Sequence, residues 1–209
     1  MDALPNILTI GRIVLVPIFV AAFFLPGNGG RWIVFALFLL AAVTDAMDGM
    51  IARKLNAESS FGRMLDPIAD KLIVSAALLM LAADGTLEGI HLVPALVILC
   101  REILVSGLRE FLAGADVSLP VTRIAKLKTT VQMAAIAALI ASSASEDMLP
   151  GVTQVALAGL WAASALTFYT GYAYLRAGLA HARSSEQPKT RRPSPAASSA
   201  SGATRARQT

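Results

Sequence analysis

Soft metal ligands are almost absent from this chain: one cysteine, Cys100, and two histidines, His91 and His181, stand among 209 residues. A lone thiol excludes an intrachain disulfide and any cysteine-ligated metal cluster. Small core packing is the role expected of Cys100, and both histidines are read as interfacial residues without chemistry. Charge is scarce too, at 15% Asp, Glu, Lys and Arg against 56% hydrophobic residues. With a mean hydropathy of +0.63, that balance excludes an ordinary soluble domain and predicts an all-α polytopic membrane protein. The start, Met1 to Asn6, has no basic stretch and the first apolar run is too long for a signal peptide, so no cleaved leader is expected. No internal repeat is present.

The apolar runs predict six transmembrane helices, at roughly 7–26, 31–53, 66–83, 91–112, 122–142 and 152–180. Pro26-Gly27-Asn28-Gly29-Gly30, Asp84-Gly85 and Pro150-Gly151 read as turns. Asp66-Pro67 reads as a helix cap followed by proline at the first helical position. The net charge of +4 does not point to nucleic acid, because the basic residues flank apolar runs and crowd the tail. Arg53, Lys54 and Arg63 fall in one connection, and Arg109, Arg123, Lys126 and Lys128 in another. The turns at 84–90 and 143–151 hold acids and no lysine or arginine, and only Arg31 stands on their side. The positive-inside rule then places both termini and the basic connections in the cytoplasm, on the inner membrane of a cell. From about residue 183 the composition turns to Ser, Ala, Pro, Arg and Thr, which predicts a membrane domain over 1–182 and a disordered basic tail over 183–209.

Against this apolar background four acids stand out: Asp45, Asp48, Asp66 and Asp70. They lie in the pattern D-x-x-D-G-x-x-A-R-(x8)-G-x-x-x-D-x-x-x-D, which runs through Gly49, Ala52, Arg53 and Gly62. Acids three apart and four apart each share one helix face, and at inner-leaflet depth a carboxylate is costly and usually functional. Four ionised carboxylates close together repel one another unless a cation lies between them. An all-oxygen donor set without histidine or cysteine suits Mg²⁺ or Mn²⁺, not Zn²⁺. Two such ions would clamp a diphosphate for in-line displacement. Gly49 and Ala52 keep one helix face bare, Arg53 offers a planar fork to phosphate oxygens, and Gly62 allows a close approach in the loop.

This signature resembles that of the CDP-alcohol phosphotransferases, with every fixed position in place. The likeness extends to Leu4-Pro5-Asn6-Ile7-Leu8-Thr9-Ile10-Gly11-Arg12, to Arg101–Glu110 and to Ala125–Gln132, which are similar to segments of that family's bacterial phosphatidylglycerophosphate synthases. It covers about residues 4–175 and leaves out the tail. The resemblance implies six membrane helices, a homodimer and a polar cavity open to the cytoplasm. It implies two divalent ions on Asp45, Asp48, Asp66 and Asp70, with Asp70 also the general base. It implies that Gly49, Ala52, Arg53, Ser59 and Gly62 border the CDP group of CDP-diacylglycerol, together with Thr9 and its neighbours. Arg109, Arg123, Lys126 and Lys128 become the candidates for the phosphate of the acceptor, glycerol 3-phosphate.

Read from the residues alone, several of these positions have alternatives. Glu102 and Arg109, seven apart, share a helix face and permit an internal ion pair instead of a phosphate site. Lys126 and Lys128 point to nearly opposite faces, so one enters the cavity and the other snorkels. Arg12, inside the first span, needs a partner: donor phosphate, a cage aspartate or a purely structural pair. Other acceptors, phosphatidylglycerol or inositol phosphate, are the alternatives within the family. A divalent-cation transporter is the rival class, since acids in a membrane serve an ion path equally well. It leaves Arg53, Gly49 and Ala52 unexplained. A scaffold that has lost activity would have lost motif positions, and none is missing.

Overall fold

The computed structural model describes residues 3–55, 60–114, 123–144 and 151–186. They form six α-helices: α1 (Ala3–Ala22), α2 (Gly27–Leu55), α3 (Ser60–Ala83), α4 (Leu92–Gly114), α5 (Arg123–Ala144) and α6 (Val152–Glu186). One 3-10 turn, Gly89–His91, leads into α4, and no strand occurs among the described residues. The all-α expectation holds, for the reason that hydrocarbon offers no partner to a backbone N–H or C=O, so each segment must satisfy its own.

Four stretches are long and apolar enough to cross a bilayer: Gly27–Asp45, Gly89–Leu112, Leu127–Ala144 and Val152–Arg176. The chain is a multi-pass membrane protein. Among the described residues α1 and α3 contribute shorter apolar runs, Ile10–Ala22 and Lys71–Ala83.

Helix α1 packs on α2 and α3, α5 packs on α2 and α6, and α4 packs on α6. Between them Phe19, Phe38, Leu78, Leu81, Ile98, Ile136, Leu139, Ile140 and Leu160 are fully buried. The rings of Phe19 and Phe23 meet edge to face with centroids 5.2 Å apart. Large apolar side chains such as Val14, Leu40, Leu79, Leu96, Ile103 and Phe168 point out of the bundle, where lipid is their natural solvent. At the end of the bundle away from the aspartates, Arg31 pairs with Asp84 and stacks 5.3 Å from the Phe23 ring centroid. The one cation among the acidic turns is thus neutralised by an acid from one of them.

Four expectations need correction. Helix α2 starts at Gly27, so the glycine run belongs to the helix and the turn is confined to residues 23–26. A Cβ on Gly30 would lie 2.6 Å from the Leu25 carbonyl oxygen, so its bare backbone lets the helix pack against that turn. Helix α3 starts at Ser60, and Asp66 and Pro67 lie within it instead of capping it. Hydropathy registers a helix only where it is apolar, and Ser60 to Asp66 is mixed. Cys100 is exposed on the outside of α4 rather than packed in the core, since in a bilayer an apolar side chain can face lipid at no cost. Helix α6 continues to Glu186, past the composition change at 183; the remaining tail lies outside the described residues.

Candidate active site

Asp45 lies on α2, and the same helix continues through Asp48, Gly49, Ala52 and Arg53. Gly62, Asp66 and Asp70 all lie on α3, so each aspartate pair sits on one continuous helix, as their spacing predicts. Helix α1 lies against both α2 and α3 and brings Arg12 to Asp45. Arg12 is buried, and its Nη1 stands 3.0 Å from Asp45 Oδ1. Among the described residues Asp45 is thus a partner of Arg12. Arg12 engages one carboxylate oxygen, and 47% of the Asp45 side chain stays accessible. A second ligand on that carboxylate is therefore possible, and an all-oxygen donor set fits a hard divalent cation.

A cavity of about 510 Å³ opens beside Asp45. Arg12 and Lys71 reach it from α1 and α3, Arg101, Glu102 and Arg109 from α4, and Lys128 from α5. Helix α4 thus lends it three charged residues at helical spacing, which is what hydropathy hides inside a spanning segment. Lys128 is 4% exposed and donates to Glu102 Oε1. Arg101 Nη1 donates to the same oxygen at 3.3 Å, and Arg101 Nη2 donates to Thr170 Oγ1 at 3.2 Å. Gly171 makes room for that guanidinium, since a Cβ there would lie 2.9 Å from Arg101 Cγ.

The Glu102–Arg109 pair that the spacing permits is not the one formed: Glu102 pairs with Lys128 and Arg101. Seven residues separate Glu102 and Arg109 by about 10 Å along the helix, whereas α5 brings Lys128 directly opposite. Arg109 instead lines the cavity. Of the acceptor-phosphate candidates the structure therefore brings Arg109 and Lys128 together. The side chains of Arg123 and Lys126 lie outside the described ones, as do those of Thr9, Asp48, Ala52, Arg53, Asp66 and Asp70; Gly49 and Gly62 are placed by backbone alone, and Ser59 lies outside the described residues altogether.

Sequence reasoning passed over Lys71, Gln132 and Tyr174, which also line the cavity. Lys71 directly follows Asp70, and Gln132 stands one helical turn after Lys128; those spacings were the available signals. Tyr174 had none, because α6 carries no charged motif.

The model of the CDP-alcohol phosphatidyltransferase family matches residues 2–169. A Rickettsia felis protein is 46% identical over 177 residues, covering 83% of this chain and 94% of its own length. A Pectobacterium atrosepticum protein is 40% identical over 176 residues, covering 83% and 93%. One from Cereibacter sphaeroides is 38% identical over 212 residues, covering 85% and 96%. All three are named CDP-diacylglycerol–glycerol-3-phosphate 3-phosphatidyltransferase. The chain belongs to the CDP-alcohol phosphatidyltransferase family.

Proposed function

We propose that this protein transfers the phosphatidyl group of CDP-diacylglycerol to sn-glycerol 3-phosphate, giving phosphatidylglycerophosphate and CMP. The observation that carries the reading is one cavity in which an acid of the aspartate motif, Asp45, faces a basic wall of Arg101, Arg109 and Lys128. A metal-dependent diphosphate site needs the acids, and a second anionic substrate needs the cations. A cation path needs no such wall, which disfavours the transporter. The names of the relatives support glycerol phosphate over phosphatidylglycerol or inositol phosphate as the acceptor.

The acyl chains of the donor stay in lipid while its nucleotide enters the polar cavity. Asp45, Asp48, Asp66 and Asp70 would hold two divalent cations, Mg²⁺ or Mn²⁺, which offset charge on the diphosphate and on the leaving group. Thr9, Arg12, Gly49, Ala52, Arg53, Ser59 and Gly62 border the CDP moiety. Arg109 and Lys128, with Arg123 at the start of α5, receive the acceptor phosphate, while Lys126 on the opposite face snorkels toward headgroups. The 1-hydroxyl oxygen of glycerol 3-phosphate attacks the β-phosphorus of the donor, and Asp70 takes the hydroxyl proton. A new P–O bond forms as the bond to CMP breaks, so charge moves from attacking to departing oxygen without change of oxidation state. The chain spans the cytoplasmic membrane six times as a homodimer, with both termini and the cavity on the cytoplasmic side.

The test is CMP release by purified protein given CDP-diacylglycerol, Mg²⁺ or Mn²⁺, and each acceptor in turn. Turnover with glycerol 3-phosphate alone is expected. Preference for phosphatidylglycerol or inositol phosphate would overturn the acceptor, and ion flux in proteoliposomes without CDP-lipid would overturn the class.

A further inference from the structure

Gln132 takes no part in the reaction as described, yet it is built into its cavity. It is 3% exposed, lines the cavity, and its carboxamide oxygen is buried without a hydrogen-bond partner among the described residues. Native proteins rarely leave such an atom unpaired, and at the wall of a substrate cavity the natural partner is a donor on the substrate. Gln132 stands four residues after Lys128 on the same face of α5, about 6 Å along the helix axis. A three-carbon phosphate anchored at Lys128 spans that rise, with its C2 hydroxyl on the way to its far end.

The neighbouring groups narrow what Gln132 can meet. Arg101, Arg109 and Lys128 are donors only, suited to phosphate oxygens. Glu102 Oε1 already accepts from Lys128 and Arg101. Glycerol 3-phosphate carries two hydroxyls, one of which attacks while the other is a spectator that still needs an acceptor. Resting on the proposed function, we infer that Gln132 reads this spectator C2 hydroxyl and so selects a polyol phosphate over an acceptor that lacks it. Rotation of the amide by half a turn exchanges oxygen for nitrogen, but a hydroxyl both donates and accepts, so either orientation serves.

The probe is 3-hydroxypropyl phosphate, which keeps the phosphate and the attacking hydroxyl and lacks only the C2 hydroxyl. CMP release gives kcat/KM for it and for glycerol 3-phosphate, in the full-length protein and in Gln132→Leu. The unchanged protein should prefer glycerol 3-phosphate by about tenfold or more, the worth of a hydrogen bond to a buried group. Gln132→Leu should bring that ratio close to one, chiefly by losing activity with glycerol 3-phosphate. The ratio cancels the fraction of active enzyme, and Gln132→Met is read in the same way should the leucine variant not accumulate. Equal use of the two acceptors by the unchanged protein overturns the inference alone. So does an equal loss on both acceptors in the variants, which is the mark of a purely structural glutamine. No CMP release with either acceptor overturns the proposed function and this inference with it.

Discussion

Removing the charge of Glu102 without removing its bulk isolates the electrostatic role of the cluster on α4 and α5. In Glu102→Gln, two cations lose their shared counter-charge at once. Lys128 and Arg101 keep side chains that are only 6% and 12% accessible, beside a Glu102 at 16%. Breaking a buried ion pair from one side costs about 3–5 kcal/mol. The glutamine still accepts one hydrogen bond and the cavity admits water, so about 2–3 kcal/mol is the better figure here. For a chain of this length that lowers the unfolding midpoint by about 4–12 °C. The assay is thermal unfolding in detergent at one fixed scan rate, since membrane proteins seldom refold on cooling. A double variant, Glu102→Gln with Lys128→Met, removes one stranded cation and should recover about half of the loss, although acceptor binding suffers. A midpoint within about 2 °C of the unchanged protein, or a double variant that loses still more, would refute the pairing as a source of stability.

Three further outcomes are expected, the first two resting on the proposed function. Asp70→Asn should lower CMP release by at least about a hundredfold while the unfolding midpoint holds, because a general base contributes about 10²–10⁴ in rate; near-normal turnover removes Asp70 from that role. Chelation should abolish CMP release, with Mg²⁺ or Mn²⁺ restoring it and Zn²⁺ failing to, as an all-oxygen site requires; activity that survives exhaustive chelation counts against the aspartate cage. Gly30→Ala should destabilise by about 1–3 kcal/mol, because the added Cβ meets the Leu25 carbonyl oxygen at 2.6 Å and backbone cannot swing aside; an unchanged midpoint would show that the turn at 23–26 yields.

Reading the chain as helices succeeded where the signal was local. Each of the six apolar runs falls on one of α1 to α6, four of them with a stretch long and apolar enough to cross a bilayer, and each aspartate pair lies on one helix. It failed where apolarity stops carrying the information. The glycines of α2 and the mixed opening of α3 look like turn and loop in the sequence, because neither is apolar enough to register. The habit of cysteine to be buried in water places Cys100 in the core, but that habit has no force in a helix flanked by lipid.

The sequence by itself determined the candidates and their places: the motif from Asp45 to Asp70 on two helices, the basic positions on α4 and α5, and the family to which the chain belongs. Spacing along one helix is a short-range property, so it can be read without a fold. Tertiary structure alone decided which charges meet. Arg31 finds Asp84 across 53 residues, Lys128 finds Glu102 across 26, and Arg101 finds Thr170 across 69. Glu102 could have paired with Arg109 on its own helix, but α5 packs so as to bring Lys128 within hydrogen-bond reach. In a low-dielectric bundle a charge takes the nearest partner that packing allows, and packing is settled by surfaces far apart in the chain.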